Sequence, residues 1–566
     1  MLARSQGLSI PSPLNRRRLL CHGLGWASTA AFALACGGKK EAAGTAPPAG
    51  AVQGTAVPAG GAQPKRGGRL LMVVGITTTN LNPITNWNEG TILSGVLVYD
   101  RLVSTRLGMD SAREARLEAA QSVEMPDPTT IIFKLKPGMK YHNRPPVNGR
   151  AVEAEDVVKT ELYIRDNPAA QDRSFQTNSM QSVEAPDAQT VVFKLKAPNA
   201  YLFSGTQMSY PAGGTIIVPR ETLDNLDQGW QVGSGPYELA EYEINNRYLY
   251  RRFAGYREAT QGRPYIEERE YRIVIDPAAQ EAAFRSEQAH IWGVPLPSIA
   301  DQLKKDLGNR IDVDEYLSLS MVTLSFNVTK PPWNDVRVRE AMYRFIDRKQ
   351  YLDLLESGRG AIPTGTLSVG LQEYQLEPSQ TEKYWRRDLR AARQLLEAAG
   401  YDFNREVEMS TITGPRNNQG MEIFQQQAAQ VGMKVRIQPM PFAEWLNQKI
   451  LTGNWEAWYS QHPTYDTPHL YLRLQHTNTG SVHRYNGLKD PEVDRMIEKA
   501  EVTLDRNERI KLVKDIQIAL LEKYTPFVIT HNYMAYTARW KYVRDFELNP
   551  ASTAQPTYQT QMWLDK

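Results

Sequence analysis

Residues 324–348 read LSFNVTKPPWNDVRVREAMYRFIDR, and the stretch divides into a strand, a Pro-rich turn and a capped amphipathic helix. Asn334 or Asp335 can cap the helix by accepting backbone N–H bonds. Val338, Ala341, Met342, Phe345 and Ile346 then fall at i, i+3, i+4, i+7 and i+8, which is one apolar stripe. Arg337, Glu340 and Arg344 lie on the other face, spaced for i,i+3 and i,i+4 ion pairs. Periodicity alone gives a helix packed on a strand.

The chain around this stretch has 566 residues, 41% of them apolar. That is enough to bury a large core in two or more domains. The net charge of +3 comes from the N-terminus, where residues 1–35 hold four arginines (Arg4, Arg16, Arg17, Arg18) and no acid. Without them the 66 basic residues become 62, against 63 acidic. Such a near-neutral body does not attract a polyanion, and no nucleic-acid partner is expected.

The N-terminus reads as an address. A basic run, NRRRLL (15–20), precedes an apolar, small-residue stretch that ends in Ala-Leu-Ala-Cys at Cys36. It is too short and too rich in Gly, Ala and Ser for a comfortable membrane span. Residues 1–35 are therefore expected to be an export signal. Its Arg-Arg-x-Leu-Leu run resembles a twin-arginine signal, and the site before Cys36 resembles a bacterial lipobox, with Ala33 where Leu is usual. Lipidation at Cys36 is the favoured reading; simple cleavage nearby and an ordinary N-terminal helix are the alternatives. Residues 36–66 carry almost only small residues, Pro and Gln after the Cys, and read as a flexible tether. Cys21 and Cys36 are the only cysteines, so the body can hold neither a disulfide framework nor a Cys-based metal site.

A segment repeats at an offset of 60: SVEMPDPTTIIFKLKP (122–137) and SVEAPDAQTVVFKLKAP (182–198). Each copy reads as a strand, a Pro-Asp turn and a second strand, with Ile131, Phe133 and Leu135 forming one buried face. The hairpins flank a helix-like stretch, 154–165, and suggest an α+β subdomain near 106–205. Strand signals dominate 214–290, including REYRIVI (269–275). After 316 helices and strands alternate. DLRAARQLLEAAG (388–400) has Asp388 as N-cap, Ala392, Leu395, Leu396 and Ala399 as its stripe, and Gly400 as the stop. Residues 406–438 read as a βαβ unit. Pro526 ends the last helix, and VITHNYMAYTAR returns as a strand.

Several ordered motifs together resemble the extracellular solute-binding proteins of family 5, the dipeptide- and oligopeptide-binding subunits of ABC importers. The opening stretch is similar to that family's FNxxxxPFxDxRVRxAxxxAIDR block. LKPGMKYH (135–142) with VEAEDVV (152–158), VGSGPY (232–237) and 388–401 are similar to others. Asn143-Arg144 stands where the family pattern has Asp-Gly after His142. The resemblance covers about 67–566 and implies an α/β, bilobed periplasmic-binding-protein-like fold of the large peptide-binding type. One lobe would be 67–315 plus 525–566, the other 316–524. A solute would be enclosed between them and passed to the transmembrane permease subunits. The protein would be an exported monomer without a cofactor, membrane-anchored on the outer face of the cytoplasmic membrane or in the periplasm.

Peptide is the leading ligand by family frequency, with an oligosaccharide or glycoside close behind and a metal chelate less favoured. Rivals of another class are an exported hydrolase and a structural surface lipoprotein. G-x-S-x-G, HExxH, P-loop and GxGxxG motifs are all absent, so no catalytic residue is assigned. Residues 454–486 resemble the family's cleft-lining GWxADYxDP stretch. Aligned on Tyr465 and Pro468, Thr464 takes the place of the Asp that receives a peptide's amino terminus, and Gln461 that of the Trp. Asp466 lies one residue further along. Trp455, Trp458, Tyr459, Tyr465 and Tyr471 are expected to supply aromatic faces to a ligand, core packing being the alternative. The loop Asn86-Trp87-Asn88-Glu89 should form a second wall, although a solvated loop acid is the plainer reading of Glu89. His462, His469, His476 and His483 recur every seven residues, but Pro463, Pro468 and Gly480 break any helix that would align them on a metal.

Overall fold

The computed structural model describes residues 63–75, 80–86, 89–105, 115–203, 208, 215–228, 231–462, 466–478, 486–548 and 560–566. The expected signal, Cys36, most of the tether, Trp87, Asn88, Thr464, Tyr465 and His483 lie outside the described residues.

The opening stretch lies at the end of a 16-residue strand, Ile311–Phe326, followed by the helix Val336–Phe345. Asp335 is the cap, its Oδ1 accepting the Arg337 N–H at 2.8 Å. The stripe from Val338 to Ile346 is buried, and Trp333 stacks on Phe326 at 4.5 Å. Arg344 pairs with Glu340 at 3.3 Å. Arg339 departs from the simple two-faced pattern. It is buried, and its guanidinium donates to the Tyr524 carbonyl at 2.8 Å and to that of Trp333. Burial lowers its pKa to about 10.

Ile311–Phe326 is one strand of a ten-stranded mixed sheet. The spatial order is Lys434–Met440, Glu406–Ile412, Ala457–Gln461, Ile311–Phe326, Phe527–Trp540, Ile291–Val294, Arg69–Val74, Glu268–Ile273, Arg247–Arg252 and Tyr237–Glu243. The antiparallel pair Ile311–Phe326 and Phe527–Trp540 runs through its middle. Beyond one end of that pair Leu324, Met409 and Tyr459 enter one core, and Met321, Trp458 and Ile529 another on the opposite face. Beyond the other end, Tyr250 and Tyr271 share a core with Leu97, and Trp292 and Trp540 share one with Phe284.

Glu406–Ile412, the helix Pro415–Ala429 and Lys434–Met440 form the expected βαβ unit, its strands parallel from Glu406↔Lys434 to Ile412↔Met440. The helix Leu389–Ala398 is capped by Asp388, whose Oδ1 accepts the Ala391 N–H at 2.9 Å, and stops before Gly400 at φ +68°. A side chain there would be strained, which is why glycine ends the helix.

The repeat forms a separate four-stranded sheet in the order Ala120–Asp127, Thr130–Leu135, Thr190–Leu195, Met180–Asp187. Both hairpins keep one register: Val123↔Phe133 matches Val183↔Phe193, and Asp127↔Thr130 matches Asp187↔Thr190. The inner strands pair antiparallel about Ile132↔Val192, so the copies are related by a local two-fold. Ile131, Phe133 and Leu135 are buried on its inner face. No helix among the described residues is long and apolar enough to cross a membrane.

Candidate functional site

Three parallel strands end side by side, at Ile412, Met440 and Gln461. In open parallel sheets ligands bind beyond such carboxyl ends. The helix Pro415–Ala429 begins there. Asn417 is buried on its first turn and donates from Nδ2 to the Ile412 carbonyl at 2.9 Å. The Oδ1 atoms of Asn417 and Asn418 have no hydrogen-bond partner among the described residues. They are acceptors at the mouth of the strands.

Along Ala457–Gln461 side chains alternate faces. Trp458 is 1% exposed and meets Trp445 edge-on at 5.6 Å. Tyr459 points the other way, over Gly420. Trp455, Trp458 and Tyr471 share one core and Tyr459 another. The aromatics expected to form one ligand-facing patch are therefore split across the sheet.

Gln461 is exposed at the strand end. His462 follows with its ring among Trp458, Tyr471 and Phe527 at 5.6, 6.2 and 6.5 Å. Burial lowers its pKa to about 3, so it is neutral near pH 7. Asp466 is buried. His469 meets Glu501 at 3.0 Å and His476 meets Glu498 at 3.2 Å. The three described histidines of the series thus take separate surroundings.

The loop expected to form a second wall precedes the helix Glu89–Val98. Asn82 shapes it, accepting the Ile84 and Thr85 N–H groups at 2.9 and 3.2 Å and donating to Asp227 at 2.8 Å. Asn86 Nδ2 donates to the Asn80 carbonyl at 2.9 Å. Glu89 opens the helix. Gln171 holds this loop, donating from its backbone to the Ile84 carbonyl and from its side chain to that of Thr85, both at 3.1 Å. Burial raises the carboxyl pKa of neighbouring Asp172, opposed by hydrogen bonds from Ser174 and by the charges of His469 and Arg473. Segment 171–174 therefore lies between the 80–86 loop and the 466–473 segment.

A polar crossing sits where the long strands leave regular pairing, between Leu317↔Met534 and Met321↔Asn532. Asn532 replaces the lost ladder, donating to the Ser320 carbonyl at 2.7 Å and Ser368 Oγ at 2.8 Å, and accepting the Val369 N–H at 3.1 Å. Beside it Arg416 Nε donates to Glu356 at 2.6 Å, and its guanidinium lies 4.1 Å from the Tyr533 ring centre. Burial would raise the Glu356 carboxyl, but hydrogen bonding to His531 and the Arg416 charge hold it below its usual range. Burial also lowers His531, outweighing Glu356.

Thr530 Oγ1, His531 and Glu356 follow one another at 3.0 and 3.4 Å, a spacing like that of a hydrolytic triad. All three are fully buried, and Thr530 Oγ1 also bonds the Val322 carbonyl at 3.1 Å. A hydroxyl without access to substrate cannot attack one. Glu356 lies 60 residues from Arg416 and 175 from His531, and no local motif marks these pairs. A groove of about 880 Å³ lies elsewhere, lined by Lys159, Tyr163, Arg220 and Asp224, and includes none of these residues.

The model of the "Bacterial extracellular solute-binding proteins, family 5 Middle" matches residues 114–481. The dipeptide-binding protein of Escherichia coli K12 is 23% identical over 492 residues, spanning 81% of this chain and 88% of that protein. The oligopeptide-binding protein AppA of Bacillus subtilis, solved with a nonapeptide, superposes with a TM-score of 0.78 at 20% identity, covering 89% of this chain and all of that one (100%). AgaA of A.tumefacien R10, solved with agropinic acid, gives 0.77 at 21%, covering 88% and 99%.

Proposed function

This chain belongs to the bacterial extracellular solute-binding proteins of family 5, and from that premise we propose that it captures a peptide between two lobes and delivers it to an ABC permease without chemical change. The lobes in this reading are 67–315 with 525–566, carrying the hairpin subdomain at about 106–205, and 316–524. Residues 1–35 export the protein, a lipid on Cys36 holds it at the outer face of the cytoplasmic membrane, and 36–66 is its tether. It acts as a monomer.

The observation that carries this reading is the family match over residues 114–481. Segment 171–174 is in keeping with it: Gln171 bonds the 80–86 loop, and Asp172 feels the charges of His469 and Arg473 from the other half, which suits enclosure of a polar solute. Trp87, Asn88 and Glu89 would contact it from one side, and Trp458, Gln461, Thr464, Tyr465 and Asp466 from the other.

A second reading, a sugar-derived or other non-peptide solute, is favoured by Thr464 in place of the expected Asp. The agropinic-acid complex of AgaA is in keeping with it. Mass spectrometry of small molecules released from the natively purified protein decides between them. A ladder of amino-acid residue masses supports peptide capture; hexose-spaced masses overturn it. A Cys36→Ala variant that still partitions with membranes would refute the lipid anchor.

A further inference from the structure

Leu202 is buried with Phe133 and Phe193 in the core of the hairpin sheet, whereas Ala500 is buried with Val493 and Ile497 in a core of the other half. Between these two cores the backbone makes a direct bond: the Ala200 N–H donates to the Glu501 carbonyl at 2.7 Å. That carbonyl lies in the last turn of the helix Pro491–Val502, where the helix supplies no donor of its own. Tyr201 follows, 5% exposed, its ring 5.5 Å from that of His469 and 5.5 Å from the Arg509 guanidinium.

Each side of this contact is also held by bonds within its own half. Asn199 accepts the Tyr201 N–H at 2.9 Å and donates to Ser179 Oγ at 3.1 Å. Opposite, His469 at 3.0 Å and Arg473 at 2.5 Å both grip the Glu501 carboxylate, fixing the end of its helix. A turn organised by its own Asn thus inserts an aromatic ring into a socket built by three segments of the other half.

We infer that residues 199–202 form a latch that keeps the two halves shut, with the Tyr201 ring as its bolt and Glu501, His469 and Arg509 as its keeper. The latch rests on the two-lobe capture reading. It acts by slowing opening, so it sets how long a bound solute is retained. The Tyr201 hydroxyl has no hydrogen-bond partner among the described residues, so the ring and the Ala200 bond carry the effect.

Hydrogen exchange and small-angle scattering on the full-length, solute-free protein test it. Tyr201→Ala should speed exchange in the peptide containing Ala200 about tenfold and raise the radius of gyration. Exchange in Ile311–Phe326 should stay unchanged. Tyr201→Phe should behave as the parent, and Arg509→Gln should show the same changes in weaker form. Unchanged exchange and scattering in both Tyr201→Ala and Arg509→Gln overturn the latch. Equal acceleration in Ile311–Phe326 in both also overturns it, because the contact then belongs to the fold and not to an opening. No solute enters these measurements. An error about cargo would show only in the released-ligand masses, and an error about the latch only here.

Discussion

Glu161 sits fully buried on the helix Ala154–Asp166, accepting from Gln176 at 2.7 Å through Oε2, while Oε1 has no partner among the described residues. Desolvation raises its pKa to about 7. The folded state therefore keeps a proton that the unfolded chain releases near pH 4.5. Stability from this group is present in full below that pH and is lost as pH rises through 7. Glu161→Gln should match the parent at pH 4.5 and exceed it by about 2–3 kcal/mol at pH 8, read from denaturant midpoints at the two pH values. Glu356 answers differently because its partners favour its charge. Glu356→Gln leaves the Arg416 guanidinium buried without its counter-ion and should cost about 3–5 kcal/mol, with the urea midpoint as readout. A loss below about 1 kcal/mol would mean that Arg416 finds solvent instead.

The elements were legible where their signals are local. Asp335, Asp388, the stripe from Val338 to Ile346 and the hairpin repeat act over a few residues, and the sequence carries their full pattern. The polar crossing was not legible. Asn532 meets Ser320 and Ser368 across 212 and 164 residues, and no spacing rule links positions so far apart. Arg339 was missed because a helical wheel assigns an arginine to water. Here two orphan carbonyls, of Trp333 and Tyr524, draw it inward. In the candidate site Trp458 and Tyr459 read as one group, whereas strand alternation sends them to opposite faces and into different cores. At this scale Asn532→Leu is the informative change. It removes the Asn532 side-chain bonds to the Ser318 and Ser320 carbonyls, Ser368 and Val369, and should lower stability by about 2–4 kcal/mol. Exchange at Val369 should rise further than in Tyr237–Glu243.

For the whole molecule, four histidines whose pKa burial lowers contribute to the acid limit, His531 in the polar crossing and three more. Burial lowers His142 to about 3, His290 to about 4 and His462 to about 3. Each stays neutral in the fold, whereas the unfolded chain gains a proton at each below about pH 6.5. Their contribution is intact above that pH and is lost as pH falls toward 3–4. Combined with Glu161, stability should fall on both sides of a maximum near pH 6. Thermal melts from pH 4 to 8 should show Glu161→Gln flattening only the alkaline side; a parallel shift on both sides would contradict the assignment.

The hairpin sheet has a consequence of another kind. Lys194 Nζ donates to Thr130 Oγ1 at 2.7 Å, and Lys134 Nζ to Thr190 Oγ1. The Leu135 N–H reaches the Gln189 carbonyl and the Leu195 N–H that of Thr129, both at 2.8 Å. Every one of these ties crosses from one copy to the other and is answered by its mirror. The subdomain is in effect a homodimer fused into one chain: the Lys134 and Lys194 bonds each take a threonine of the other copy, so a lesion in one copy is felt in both.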